Sequence, residues 1–209
     1  MMFITLEGPD GSGKTLHLPS LAEYLRQQGY AVLTTHEPGG TPIGDQIREV
    51  LHRLDNVAMH PRAEVLLYQA ARAQLVEQVI RPHLASGGIV ISDRYADSTL
   101  AYQGYGHGLD LDAVRSLIAF ATGDLKPDLT LLLDVDAEAG LRRKLKVGEW
   151  NRLDAYPLEF HRRVRAGYHQ LARAEPERWV VIDAAQPPET VQAALRRVVL
   201  QRLKAKVKA

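Results

Sequence analysis

A parallel β-sheet with helices packed on both of its faces is the architecture this sequence predicts. Two observations carry the prediction. Five short apolar runs, near residues 2–7, 31–35, 89–92, 129–133 and 179–182, alternate with segments whose apolar residues recur at helical spacing. Strands separated in this way by helices pair in parallel. The first run, moreover, leads directly into a glycine-rich loop and then a helix, the local order in which a Gly-x4-Gly-Lys-[Ser/Thr] match carries weight. A chain of 209 residues, 45% of them hydrophobic, suits one domain with a sizeable core.

Met2-Phe3-Ile4-Thr5-Leu6 reads as a buried strand, followed by Gly8-Pro9-Asp10-Gly11-Ser12-Gly13-Lys14-Thr15. Glycines there let the backbone curl until successive N–H groups converge on phosphate oxygens, and the next helix turns its positive end to the same anion. Lys14 is expected to reach the β- and γ-phosphates, and the Thr15 hydroxyl to sit on Mg²⁺. The motif thus implies a nucleoside triphosphate ligand. Leu18, Leu21, Ala22 and Leu25 continue a helix that stops near Gly29, and Pro19 inside it predicts a kink.

Residues 31–35 form the second strand, and His36-Glu37-Pro38-Gly39-Gly40-Thr41-Pro42 follows. Open α/β sheets place ligands at such strand carboxyl ends. A tight reversal here predicts a cis bond between Glu37 and Pro38. Thr41 caps a helix with Pro42 at its first position, running to about Leu54. A long helix opens at Pro61 and reaches about residue 85, with Gly87-Gly88 as its stop. The third strand, Ile89 to Ser92, ends in Asp93-Arg94-Tyr95. Asp110 starts a helix closed near Gly123, the fourth strand ends at Asp134, and Asp136 caps the next helix. That helix runs into Arg142-Arg143-Lys144-Leu145-Lys146. A helix from Pro157 to about Arg173, the fifth strand and a helix over roughly 188–203 complete the chain. Lys204, Lys206 and Lys208 read as a solvated terminus.

Composition narrows the chemistry. The absence of cysteine excludes disulfides, thiol catalysis and cysteine metal sites. Twenty-six Lys and Arg against twenty-five Asp and Glu argue against a broad nucleic-acid surface, so an anion site has to be built locally. No run is apolar enough to cross a membrane, and Asp10 and Lys14 interrupt the only candidate for a leader. A cytoplasmic protein with no membrane partner is the expectation. Eight histidines are scattered without metal-ligand spacing.

Asp93 and Arg94 stand at the phosphate-loop edge of the predicted sheet. Asp93 can hold Mg²⁺ through water, and Arg94 can clamp a second phosphate with parallel donors. Tyr68 and Arg72, four residues apart, share a helix face. Ser98, Tyr102 and Gln103 add a hydroxyl, a phenol and an amide just past Arg94. Five cations between Arg142 and Arg152 repel one another unless an anion or acids share their space, a density suited to a lid of about residues 143–153 closing on phosphate.

Together these pieces resemble the thymidylate kinases, over nearly the whole length. The resemblance rests on Glu37-Pro38-Gly39-Gly40, on Tyr68 to Arg72, and on Asp93-Arg94-Tyr95 with Ser98, Ala101, Tyr102 and Gln103. Asn151-Arg152-Leu153-Asp154 and Arg163-Val164-Arg165-Ala166-Gly167-Tyr168 add to it. It implies a single phosphate-loop kinase domain over residues 1–209, with a five-stranded parallel sheet in the order 2-3-1-4-5. ATP and dTMP are the implied substrates, with Mg²⁺, and a homodimer the implied assembly. By the same resemblance Asp10 meets the sugar 3′-hydroxyl, Arg48 and Arg94 hold the acceptor phosphate, and Tyr68 stacks on thymine. Arg72 and Gln103 meet the base edge, Tyr102 lines the deoxyribose, and Glu37, Pro38 and Ser98 complete the acceptor pocket. Lys14, Asp93, Arg94, Arg143 and Arg152 are the implied catalytic set. Leu16, His36, Tyr68 and Lys146 depart from the residues relatives usually carry at those places.

Rival readings remain. A kinase for another pyrimidine monophosphate, dUMP or CMP, would keep the same loop. A regulatory GTP switch would need a guanine-reading Asn-Lys-x-Asp, which the chain lacks. A non-catalytic nucleotide-binding module would not need the acceptor, metal and lid residues together.

Overall fold

The structure, a computed structural model, describes residues 1–148 and 150–208. Its five strands are β1 (Met2–Glu7), β2 (Val32–His36), β3 (Ile89–Asp93), β4 (Leu129–Asp134) and β5 (Trp179–Asp183). All pair in parallel, in the order β2-β3-β1-β4-β5. The expected order is therefore the observed one.

Alternation along β1 splits the core. Met2, Ile4 and Leu6 point to one face, against Leu21 and Leu25 of α1 (Lys14–Gln27) and Leu195 and Val199 of α8 (Pro188–Lys208). Phe3 points to the other, against Leu75, Val76 and Ile80 of α3 (residues 61–85). Each fully buried aliphatic side chain contributes about 1.5–3 kcal/mol, so a period of two in one strand binds helices to both faces.

The helices follow their end signals. α1 runs unbroken through Pro19. α2 (Pro42–His52) begins where the Thr41 hydroxyl accepts from Gly44 N, and it ends two residues before the expected Leu54, which opens a short 3₁₀ turn. α3 spans 61–85, regular over Pro61–Leu75 and Arg81–Ala85, with a π turn over Val76–Ile80 between them. Residues 96–106 are helical too, forming α4, as one regular turn (Ala96–Thr99) and then a π turn (Leu100–Gly106). The sequence pattern did not predict this element, because wide turns break the 3.6-residue period. α5 (Leu111–Thr122), α6 (Ala137–Val147) and α7 (Leu158–Ala174) complete the set. The last helix outruns its expected end at residue 203, and Lys206 Nζ lies 2.6 Å from Asp128 Oδ1 rather than in a loose tail.

The phosphate loop lies at the carboxyl end of the sheet, folded against the first turn of α6. Gly11 has φ 73°, and a Cβ added to Gly140 would run into the Asp10 carbonyl oxygen. Glycine inside a helix normally costs about 0.5–1 kcal/mol against alanine, so Gly140→Ala would stabilise an ordinary helix. Here the opposite sign is expected, a loss of about 1–3 kcal/mol from overpacking with a raised KM for the triphosphate. Chemical denaturation beside steady-state kinetics checks both; a stabilised variant with unchanged KM would refute the packing argument.

Candidate active site

A cleft of about 1060 Å³ opens along this sheet edge. It gathers Asp10, Gly11, Ser12, Gly13, Lys14 and Thr15 with Glu37, Pro38, Arg48, Tyr68, Arg72, Asp93, Arg94, Ser98, Tyr102, Gln103 and Arg143. Gly8 and Pro9 lie at the root of the loop, their carbonyls each 3.0 Å from Lys14 Nζ. Of the expected site residues, Arg152 alone stands apart from these groups.

Lys14 is buried, and burial is the main reason its pKa falls to about 8; the charge of Arg94 adds to the fall, while Asp93, Asp10 and Glu7 oppose it. Thr15 Oγ1 donates to Asp93 Oδ2 at 2.8 Å. Two hard oxygen donors side by side, one of them anionic and both next to a phosphate cradle, fit Mg²⁺, which takes one or two carboxylates and completes its shell with waters and phosphate oxygens.

The opposite wall centres on Arg94, a non-glycine residue with φ 68°. Its Nη2 donates to Asp10 Oδ1 at 2.6 Å and to the Tyr102 hydroxyl at 3.1 Å. Its Nη1 reaches the Gly8 carbonyl, Ser98 Oγ and the Tyr168 hydroxyl, each at 3.2 Å. The Tyr102 hydroxyl donates to the other Asp10 oxygen at 2.6 Å. Burial raises the Asp10 pKa, but the charges of Arg94 and Lys14 and the Tyr102 hydrogen bond outweigh it, leaving the carboxyl far below the usual range. Asp10 is an anion here.

The Glu37–Pro38 bond is cis, as expected, and the Pro38 carbonyl accepts from Arg48 Nη1 at 2.9 Å. Arg72 is 1% exposed and spends all of its N–H groups inside the protein. Nε and Nη2 bind Glu37, Nη2 also donates to the Tyr95 carbonyl, and Nη1 donates to Gln69 Oε1 and Thr99 Oγ1.

The basic segment divides by partner. Arg143 Nη1 donates to the Ala184 carbonyl at 2.9 Å and borders the cleft. Arg142 pairs with Glu138 at 2.8 Å, and Lys144 lies 3.7 Å from Asp154. Arg152 is 3% exposed, bound to Glu64 Oε2 at 2.5 Å and to the Leu51 carbonyl at 3.0 Å. Acids thus partner three of the five cations, Arg142, Lys144 and Arg152. Glu149, inside the expected lid, lies outside the described residues.

A family model described as thymidylate kinase matches residues 6–195. The chain belongs to the thymidylate kinase family. A thymidylate kinase of Thermomicrobium roseum is 54% identical, the alignment covering 97% of this chain and 96% of the relative. One from Roseiflexus sp. strain RS-1 is 51% identical over 95% and 93% of the two chains. The crystal structure of the Ehrlichia chaffeensis thymidylate kinase superposes with a TM-score of 0.77 at 35% identity, covering 95% of this chain and 98% of that one.

Sequence reasoning passed over two buried carboxylates of this thymidylate kinase site. Glu64, on α3, is treated below. Glu7, the last residue of β1, accepts from Tyr95 N at 2.8 Å, Ser98 Oγ at 2.5 Å and the Tyr168 hydroxyl at 2.9 Å. It fixes the turn that carries Arg94. An acid closing an otherwise apolar strand was the available signal, but its partners lie 88 or more residues away.

Burial, then the charge of Asp97, raise the Glu7 pKa from 4.5 to about 7 despite those hydrogen bonds. The folded protein therefore binds a proton more tightly than the unfolded chain. The stability contributed by that proton is full below 4.5 and is lost as pH rises through 7. Glu7→Gln removes the titration while keeping an acceptor. Between pH 4.5 and 7.5, denaturation midpoints should move in favour of the variant, relative to wild type, by on the order of 3 kcal/mol. A difference independent of pH would contradict a raised Glu7 pKa.

Proposed function

We propose that this chain transfers the γ-phosphoryl group of ATP to dTMP, giving dTDP and ADP. The observation that carries the reading is the pairing of two anion sites in one cleft. The phosphate loop with Lys14 makes the first, and Arg94, with Arg48 beside it, makes the second. Between them stands Asp10, bound to Arg94 and Tyr102.

Phosphoryl transfer needs positioning and charge neutralisation more than covalent chemistry. The loop amides and Lys14 hold the β- and γ-phosphates. Thr15 and Asp93 are the residues that would hold Mg²⁺, which when bound would neutralise phosphate charge. Arg94 and Arg48 hold the acceptor phosphate in line with the γ-phosphorus. The attacking atom is already a phosphate oxygen, so no strong base is needed. Arg143 follows the charge as it spreads over the transferring group, and water is excluded when the segment 143–153 closes. Arg152 belongs to the base of that segment, where its bonds to Glu64 and Leu51 support an anchoring role in place of the catalytic one the resemblance implies.

The protein is proposed to work in the cytoplasm, as a homodimer. What supports the dimer is a set of exposed apolar side chains on α2, α3 and α5, helices that pack side by side. Leu66 is 54% and Phe120 92% exposed, and Ile43 and Val50 on α2 are exposed as well. Aromatic and aliphatic groups left in water at this density mark an interface. Light scattering should give a dimer that Leu66→Glu with Phe120→Glu dissociates; a monomeric wild type would remove the claim.

Three outcomes test the activity. Release of ADP with dTMP should exceed that with dUMP by the value of one methyl group, about 1–3 kcal/mol, and dCMP should be poorer still. Lys14→Ala should lose several powers of ten in turnover, each worth ~1.4 kcal/mol, with little change in melting temperature. Arg143→Ala should lower kcat with the KM for dTMP nearly unchanged. A Lys14→Ala variant with normal turnover would sink the mechanism.

A further inference from the structure

Glu64 sits one helical turn before Tyr68 on α3, wholly buried, and no step above uses it. Its Oε1 accepts from Gln103 Nε2 at 2.7 Å and from His107 Nε2 at 3.1 Å, and its Oε2 from Arg152 Nη2 at 2.5 Å. Burial pushes the Glu64 pKa up, but the His107 and Gln103 hydrogen bonds and the charges of His107 and Arg152 pull it below the usual range. It is therefore a carboxylate, an acceptor with no proton to give.

That fact settles which way the Gln103 amide points. A carboxamide beside a carboxylate must turn its NH₂ group toward it, and its carbonyl oxygen then points the other way. Gln103 borders the cleft, and its Oε1 has no hydrogen-bond partner among the described residues. Arg72, the other group expected at the base edge, has each N–H already taken by Glu37, Gln69, Thr99 or Tyr95. The amide oxygen of Gln103 is thus an acceptor on the cleft wall with no partner of its own among the described residues.

We propose that Glu64 is a positioning residue for base selection: by fixing the Gln103 amide with Oε1 toward the cleft, it makes the site demand a ring N–H donor. Thymine presents one at N3, whereas the cytosine N3 is a bare acceptor. Two acceptors facing each other in a buried site lose the hydrogen bond and repel, the arrangement that discriminates most strongly between ligands of one size. Arg152 completes the device. It neutralises the second Glu64 oxygen and, through the Leu51 carbonyl, ties the carboxylate to the end of α2. The alternative is that Glu64 serves only to anchor Arg152.

The inference rests on dTMP being the acceptor, and its test separates the two. The full-length wild type and Glu64→Gln are compared for kcat/KM on dTMP, dUMP and dCMP by ADP release. A neutral amide at 64 can face either end of Gln103, so the dTMP-to-dCMP ratio should fall at least tenfold. The fall should come mainly through a higher KM for dTMP. The dTMP-to-dUMP ratio should hold, since both bases carry the N3 proton, and Glu64→Asp, which keeps the charge, should restore most of the dTMP-to-dCMP selectivity. An anchoring role alone would weaken dTMP and dCMP together, and an unchanged ratio in folded Glu64→Gln overturns the proposal. Should that variant not fold, Gln103→Met keeps the bulk without the acceptor; wild-type selectivity in it overturns the proposal equally. A wild type that phosphorylates dCMP but not dTMP overturns the acceptor assignment itself.

Discussion

The ion pair between Arg94 and Asp10 joins the two halves of the cleft. Asp10 belongs to the phosphate loop, Arg94 to the turn after β3, and their 2.6 Å contact ties the two together. The turn is a demanding one. Arg94 holds a left-handed backbone with φ 68°, a conformation costing a non-glycine residue on the order of 1–3 kcal/mol. Its N–H donates to the Leu6 carbonyl at 3.0 Å, and Glu7 takes the next N–H, that of Tyr95. Those two bonds hold the strained residue, and the strain is what swings the guanidinium back over the loop.

Buried carboxylates repeat this theme around the cleft. Glu7 holds Tyr95 and Ser98, Glu37 holds Arg72, and Glu64 holds Gln103 and Arg152. Exchanging such buried pairs for apolar groups is often neutral or stabilising, so net stability is a weak reason for keeping them. Orientation is the stronger one. Glu37 and Glu64, each paired with an arginine, leave their partners with one permitted direction, and a site that must tell one pyrimidine from another needs groups that cannot turn over.

Much of this arrangement was legible in the sequence, for reasons that differ by element. The phosphate loop is read from local spacing, because one strand, one turn and one helix build it. The β-strands announce themselves as apolar runs, and the Thr41 and Asp136 caps mark helix starts that the structure keeps. The sheet order and the cis bond at Pro38 came through as well, the first by resemblance. What stayed hidden depends on pairing across the chain. Glu64 meets Arg152 across 88 residues and Arg72 meets Glu37 across 35. Periodicity reports that a position is buried and is silent about which charge waits for it. The helix at 96–106 was missed for a local reason, since its wide turns carry no regular period.

The basic run after α6 illustrates the limit most clearly. In the sequence its cations form one cluster, and a single role for all of them, closing on phosphate, is the economical reading. The acids that sort them lie elsewhere: Glu138 on α6 itself, Asp154 after the turn, Glu64 on α3. The Arg152–Glu64 pair is closer and buried on both sides, at 2.5 Å, whereas Lys144 stands 3.7 Å from the buried Asp154 with part of its own side chain in water, so the first is the costlier to break. Arg152 is therefore held by buried partners, while Arg143, bonded to the Ala184 carbonyl, borders the cleft. The division among these cations follows from where the acids are, not from the cations themselves.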